Sequence, residues 1–341
     1  MKKSLLALAA IGLFAGAAQA QSTVTLWGIV DLSLQQIKNG KVSEKRMGTD
    51  GINSSRLGFR GVEDLGGGMR AAFHLEAGMA NDVGAVGGSN GIATVMFNRR
   101  STVSLLGGFG EVRLGRDYNP SFWNTTIFDP FGTNGIGSSL NVASTLGSGA
   151  ATLVRSNNSI GYFLPGGLGG LYGQVQVSPA EGVTGQGYRG FRVGYGAGPV
   201  DVAFGYGATK TATADKFVLT DLGGSFDLGV AKLQAQWISA KFGARKQVNY
   251  LLGAVVPMGQ AELHATYVKA NQSGAGTDAN DASQIALGGV YNLSKRSALY
   301  ATYSRISNKG TQSFAVGPTS SVSGLAGNSS SGIEFGVRHS F

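Results

Sequence analysis

From Thr23 onward the chain alternates between apolar and polar side chains. Val24, Leu26, Val30, Leu32 and Leu34 share one parity, and Thr23, Thr25, Asp31 and Ser33 share the other. A period of two is the signature of a β-strand with one apolar face. The pattern returns in V-S-L-L from Val103, in V-N-Y-L-L-G-A-V-V from Val248, in A-E-L-H-A-T-Y-V from Ala261 and in I-E-F-G-V-R-H-S-F at the end. No stretch beyond the first twenty residues approaches the roughly 18 consecutive apolar positions that a membrane-crossing helix requires. A membrane location therefore implies crossing with strands.

The punctuation between strands carries more information than the alternation. Seven short turn signals stand at Glu63, Gly107, Pro165, Gly196, Phe226, Pro257 and Asn292. Between them lie eight longer polar connections, near residues 37–52, 80–95, 118–152, 179–188, 209–216, 241–246, 271–282 and 307–331. Strictly alternating short and long connections join sixteen strands and leave both chain ends on the short-turn side. A soluble β-sandwich has no reason to keep every long loop at one end, whereas an outer-membrane barrel does. In hydrocarbon every backbone N–H and C=O must be paired, so the first and last strands are expected to close on each other. The fold class predicted is all-β, a 16-stranded antiparallel transmembrane β-barrel, large enough to enclose water instead of a packed core.

Composition narrows this further. Lys2 and Lys3, an apolar run from Leu5 to about Ala17 and the small residues Ala18-Gln19-Ala20 predict a cleaved secretory leader over residues 1–20, with the barrel spanning 21–341. Without Lys2 and Lys3 the formal charge falls from +9 to +7, so the exported chain stays basic. An exported basic chain points to an anionic membrane or anionic solutes as partners, and nucleic acid is not expected. Cysteine is absent, which removes disulfides and thiol chemistry. Glycine, at 56 of 341 residues, far exceeds the usual share of about 7% without any collagen period.

Several ordered blocks then resemble one family closely. They are T-V-T-L-W-G-I-V-D from Thr23, S-S-R-L-G-F-R-G-V-E-D-L-G-G-G from Ser54, R-R-S-T-V-S-L from Arg99, G-E-V-R-L-G-R-D from Gly110, R-S-N-N-S-I-G-Y from Arg155 and N-L-S-K-R-S-A-L-Y from Asn292, followed by the closing R-H-S-F. Together they are similar to the general porins of β-proteobacterial outer membranes, the neisserial and burkholderial branch, along the whole chain. The resemblance implies a homotrimer in a Gram-negative outer membrane, in contact with its lipid and lipopolysaccharide. It also implies a third external loop folded into the lumen as a constriction, and passive diffusion of small hydrophilic or anionic solutes. Phe341 would be the signal read by the barrel-assembly machinery, although His339 stands where the family usually has an aromatic residue.

Strand parity then selects candidate pore residues, because a channel selects ions through the charges at its narrowest point. With Leu57 and Phe59 outward, Arg56 and Arg60 turn inward; with Val103 and Leu105 outward, Arg100 turns inward and Arg99 falls formally outward. With Ile160, Tyr162 and Leu164 outward, Arg155 and Asn157 turn inward. Arg56, Arg100 and Arg155 match the family positions of a basic constriction cluster, and Arg99 is kept beside them because one residue of register exchanges it with Arg100. The facing wall is expected from Tyr118 to Thr152, with Asp117 and Asp129 as the acids between Arg116 and Arg155. Inward Asp31 and Glu76 are expected to neutralise part of the cluster.

Other chemistry finds little support. The Gly-rich segments near Gly66 and Gly107 lack the following helix and Lys-Ser/Thr pair of a phosphate-binding loop. His74, His264 and His339 lack close-spaced ligand partners, so no metal or other cofactor is expected. An enzyme would need a nucleophile beside a positioned base, and none is discernible. A solute-specific channel remains open, since Tyr118, Phe122, Trp123, Phe128 and Phe131 supply aromatic surface to the third loop, as does an adhesin acting through its loops.

Overall fold

The computed structural model describes residues 23–86, 95–317 and 324–341; the expected leader lies outside them. Among the described residues there are eighteen β-segments: Thr23–Asn39 (β1), Val42–Thr49 (β2), Arg56–Gly66 (β3), Met69–Ala80 (β4), Ala85–Val86 (β5), Arg100–Gly107 (β6), Gly110–Tyr118 (β7), Arg155–Phe163 (β8), Leu171–Ser178 (β9), Tyr188–Ala197 (β10), Val200–Lys210 (β11), Lys216–Asp227 (β12), Lys232–Phe242 (β13), Arg245–Met258 (β14), Ala261–Ser273 (β15), Ala282–Asn292 (β16), Ser297–Asn308 (β17) and Ser329–Ser340 (β18). β2 and β3 pair with the upper and lower halves of the same edge of β1 and so form one interrupted wall strand. β5 is a two-residue extension on β4. Sixteen wall strands remain, all antiparallel, and β1 pairs with β18 from Ile29↔Ser340 to Asn39↔Ser330, which closes the barrel.

The seven predicted turns all fall at one end. At the first of them Gly66, Gly67 and Gly68 all adopt positive φ, a run that side chains would strain. The opposite end departs from the expected pattern in one place. β1 continues to Asn39 and β2 starts at Val42, so the expected loop at 37–52 is a two-residue hairpin. The interruption comes later, at residues 50–55, where the Asp31 carboxylate accepts the backbone N–H groups of Gly51, Ile52 and Asn53 at 3.2, 2.9 and 2.8 Å.

Alternation sorts the two faces as the sequence indicates. Leu34 and Leu252, each 65% exposed, lie in an outward apolar band with Leu222, Ile285 and Phe335. Tyr195, Phe226, Tyr291 and Phe341 stand outward near the turn end. Phe341 exchanges backbone hydrogen bonds with Gly28, and its ring occupies the space where any Cβ on Gly28 would sit. The inner face is polar and rich in Gln, with Gln35, Gln174, Gln176, Gln234, Gln236, Gln247 and Gln284 buried.

Candidate pore constriction

Those lumen amides find their partners in the connection of 36 residues, 119–154, between β7 and β8. The chain leaves the wall at Asn119, whose N–H donates to Val154 O, and Pro120 starts a helix, Pro120–Ile127 (α1). Proline suits this first turn because its missing N–H would have lacked a partner there anyway. α1 lies inside the barrel against β10–β12, with Phe128 buried on Gly223 and Asn124 Nδ2 donating to Ala203 O at 3.1 Å. Gln236 and Gln234 donate to the Thr125 and Ile127 carbonyls at 3.1 and 3.0 Å. His264 Nδ1 donates to Pro130 O at 2.7 Å, Gln284 to Gly137 O and Ser138 O, and Gln247 and Asn249 to Val142 O. The Gln-rich inner wall thus satisfies a buried loop's backbone carbonyls, which would otherwise be costly. At its far side the loop reaches across to Ser54, whose hydroxyl donates to Asn134 Oδ1 at 2.8 Å.

Opposite this loop stand three arginines. Arg56 (β3) meets Glu76 Oε1 at 3.2 Å, and Arg99 Nε meets the same oxygen at 2.5 Å. Arg99 Nη2 donates to the Tyr118 hydroxyl at 3.1 Å, and the Arg155 guanidinium lies 4.1 Å from the centre of the Tyr118 ring. Arg155 Nε donates to Arg99 O at 2.7 Å. All three line a cavity of about 950 Å³ whose other wall includes Pro130, Thr133, Asn134 and His264. Arg56 and Arg99 share the Glu76 carboxylate and Arg155 forms no ion pair among the described residues, so the three guanidiniums outnumber the acid they contact.

A second basic set lies nearer the turns. Arg113 (β7) meets Asp117 at 2.5 Å and Glu111 at 2.7 Å, and Arg100 approaches Asp117 at 3.8 Å and donates to Thr102 Oγ1 at 3.1 Å. Arg60 lies 5.8 Å from the Trp27 ring. Arg60, His74, Arg100, Glu111 and Arg113 line a separate space of about 260 Å³.

Several positions differ from what parity predicts. Arg99 faces the lumen although its parity is outward, because β6 begins only at Arg100 and residue 99 is free of the alternation. Arg100 faces inward as expected but belongs to the turn-side set. Asn157 does not join the cluster. A bulge between Gly115 and Asp117, with positive φ at Gly115 and Asn158, shifts the register, and Asn157 accepts a hydrogen bond from outward Arg116 at 2.6 Å and donates to Gln186. Asp31 anchors the Gly51–Asn53 backbone and the Tyr300 hydroxyl instead of an arginine. Asp117 sits with Arg113 on the arginine side, not on the loop. Asp129 is on the loop but turned into it, accepting from the N–H groups of Phe131, Thr133 and Ser139 at 2.9, 3.3 and 2.9 Å. Burial pushes its carboxyl above the ordinary range, against the opposing pull of those donors. Arg113 was not singled out from the sequence, yet outward Val112 and Leu114 flank it and turn it inward.

The third-loop aromatics pack on one another and on the wall, and Tyr118, Phe122, Trp123 and Phe131 also border the large cavity. Tyr118 contacts Phe122 and Trp123 at ring separations of 4.9 and 5.1 Å, and Phe122, Phe128 and Phe131 are buried. Among the described residues no three metal-binding side chains converge.

The sequence profile described as Gram-negative porin matches residues 7–311. Outer membrane porin protein 32 of Delftia acidovorans is 39% identical, with all of both chains covered. An anion-selective porin from Comamonas acidovorans is 36% identical and superposes with a TM-score of 0.84 over 94% of this chain and all of its own. OmpT of Vibrio cholerae, in a trimer form, has the same fold at 15% identity, with a TM-score of 0.70 over 94% of this chain and 99% of its own.

Proposed function

Because the chain belongs to the Gram-negative porin family, we propose that it works as a general-diffusion channel of the outer membrane whose anion preference comes from Arg56, Arg99 and Arg155. Residues 1–20 are removed on export, residues 21–341 form the barrel, Phe341 is read by the assembly machinery, and three copies associate. Water fills the lumen, and small hydrophilic solutes pass down their gradients. The observation that carries the selectivity is the arginine wall of the large cavity, where Arg56 and Arg99 share Glu76 and Arg155 forms no ion pair among the described residues, facing a loop whose Asp129 is turned inward on its own backbone. Rings of fixed charge favour counter-ions in a pore of this kind. Arg60 and Arg100 form a secondary contribution on the turn side, where Asp117 and Glu111 offset part of the charge. The anion-selective relative supports the sign of the preference.

The test is the zero-current potential of purified protein in a planar bilayer under a potassium chloride gradient, with Arg56, Arg99 and Arg155 changed together to alanine. Chloride preference in the wild type that falls severalfold in the variant supports the reading. Cation preference in the wild type, or an unchanged variant, overturns it.

A further inference from the structure

The lumen-facing side of α1 carries apolar surface where a water-filled pore has little need of it. Trp123, Thr126 and Ile127 stand three and four residues apart, which places them on one face of the helix. All three are half-buried and border the large cavity, whereas Asn124, Thr125 and Phe128 are buried toward the wall. The apolar surface continues onto Val255 of β14 and Val290 of β16, the ladder partners of inward His264 and Glu262. A barrel of this kind ordinarily carries polar side chains at such positions. Fastening the loop does not explain the indole. Wall amides donate to the loop's carbonyls, but the Trp123 Nε1–H donates to no group among the described residues. The one ring contact of Trp123 among those residues is Tyr118, at 5.1 Å and 74°.

The same Tyr118 ring carries the Arg155 guanidinium 4.1 Å from its centre. Arg155 engages only its Nε, on Arg99 O, so both of its Nη groups are without a hydrogen bond among the described residues. An indole surface and a guanidinium with two donors to spare therefore stand one tyrosine ring apart. A guanidinium takes a carboxylate through two parallel hydrogen bonds, and an indole takes another aromatic ring edge to face. We propose that, among the anions it admits, this channel favours monocarboxylates borne on a flat aromatic ring, with the carboxylate at Arg155 and the ring against Trp123 and Ile127. The proposal deepens the channel reading above and rests on it. An inorganic anion gains nothing from the indole, and a neutral aromatic solute gains nothing from the guanidinium. One ring contact and one water-exposed ion pair hold the solute weakly, as passage requires.

The test measures bi-ionic reversal potentials of purified full-length protein in a planar bilayer, with potassium chloride on one side and potassium benzoate or potassium cyclohexanecarboxylate on the other. At neutral pH both acids are ionised. Relative to chloride, benzoate should permeate about threefold or more better than cyclohexanecarboxylate. In Trp123→Leu that advantage should fall to about one, and in Trp123→Phe most of it should return. Equal permeability of the two acids in the wild type overturns the proposal, whatever the variants do. An advantage that survives Trp123→Leu is sieving by ring thickness and overturns it too. So does an equal advantage of benzylammonium over cyclohexylmethylammonium, because the ring would then act without the arginines. Chloride preference separates this from the channel reading. A chloride-preferring wild type that treats the two acids alike refutes only the aromatic preference, whereas a wild type without conductance steps, or with cation preference, refutes the reading that it rests on.

Discussion

Arg99 and Arg100 are adjacent in sequence and identical in type, yet they belong to different electrostatic environments. Arg99 joins Arg56 at Glu76, the one acid they contact, beside Arg155, which pairs with none among the described residues, and the three face the large cavity. Arg100 joins Arg113 and Arg60 beside Asp117 and Glu111, two acids for three guanidiniums, around a smaller space. A count of inward arginines would treat the two groups as equal. What an ion crossing the lumen meets is the charge left over after local pairing, and that remainder is larger in the first group. Contact pairs are nearly neutral a few ångströms away, whereas an unshared guanidinium acts across the whole opening.

Swapping which group is neutralised should therefore break the symmetry most strongly. Arg56, Arg99 and Arg155 changed to alanine should cost severalfold in the chloride-to-potassium permeability ratio, and Arg60, Arg100 and Arg113 changed to alanine should cost much less. Reversal potentials of the two triple variants, recorded under one salt gradient, decide it. Equal losses would mean that pairing does not control the field and that every inward arginine counts alike.

The loop comes next, because it sets the width across which the first group acts. Changing Asp129 to alanine strands three backbone N–H donors, each worth about 1–3 kcal/mol when buried without a partner. The loop should loosen, single-channel conductance and its noise should rise, and anion preference should fall as the gap widens. Asp129→Asn keeps one acceptor oxygen and should give an intermediate trace. Unchanged conductance in both would show that the amides of the wall, not Asp129, hold the loop. The turn-side group lies away from that loop and should not respond.

The barrel was legible because its information is periodic and local. Alternation assigned the inner and outer faces from Thr23 to the last strand, and seven short turns, six of them bearing glycine or proline, sorted the ends. Register failed only where the ladder itself is interrupted. Parity carries no meaning for Arg99, one residue before its strand begins, and it is reversed for Asn157 by a bulge that Gly115 permits. The roles of the acids were the least legible part. Asp31, Asp117 and Asp129 look alike in sequence, yet one organises residues 50–55, one pairs with Arg113 and one caps its own loop. Their partners are backbone N–H groups or residues brought close by closure of the barrel, and neither leaves a periodic trace. The Gln residues that carry the loop were visible as inward polar positions, but their targets are main-chain carbonyls with no sequence signature.

Single carboxylates give a finer contrast. Glu76→Gln removes the one acid shared by Arg56 and Arg99, so anion preference should rise modestly. Asp117→Asn frees charge in the smaller space and should raise it less. Identical responses at the two positions would remove the distinction between the groups.

The smallest effect expected is the most diagnostic of mechanism. The screening length falls from about 30 Å at 0.01 M salt to about 3 Å at 1 M. Unpaired charge acting through lumen water is exposed to that screening, whereas pairs in contact at 2.5 to 2.7 Å are not. The gap in anion preference between the wild type and the Arg56, Arg99, Arg155 variant should therefore narrow as salt rises, while the weaker influence of the turn-side group changes little. A gap that stays constant over that range would mean that the three side chains act by shaping the opening, so that their bulk and not their charge selects the ions.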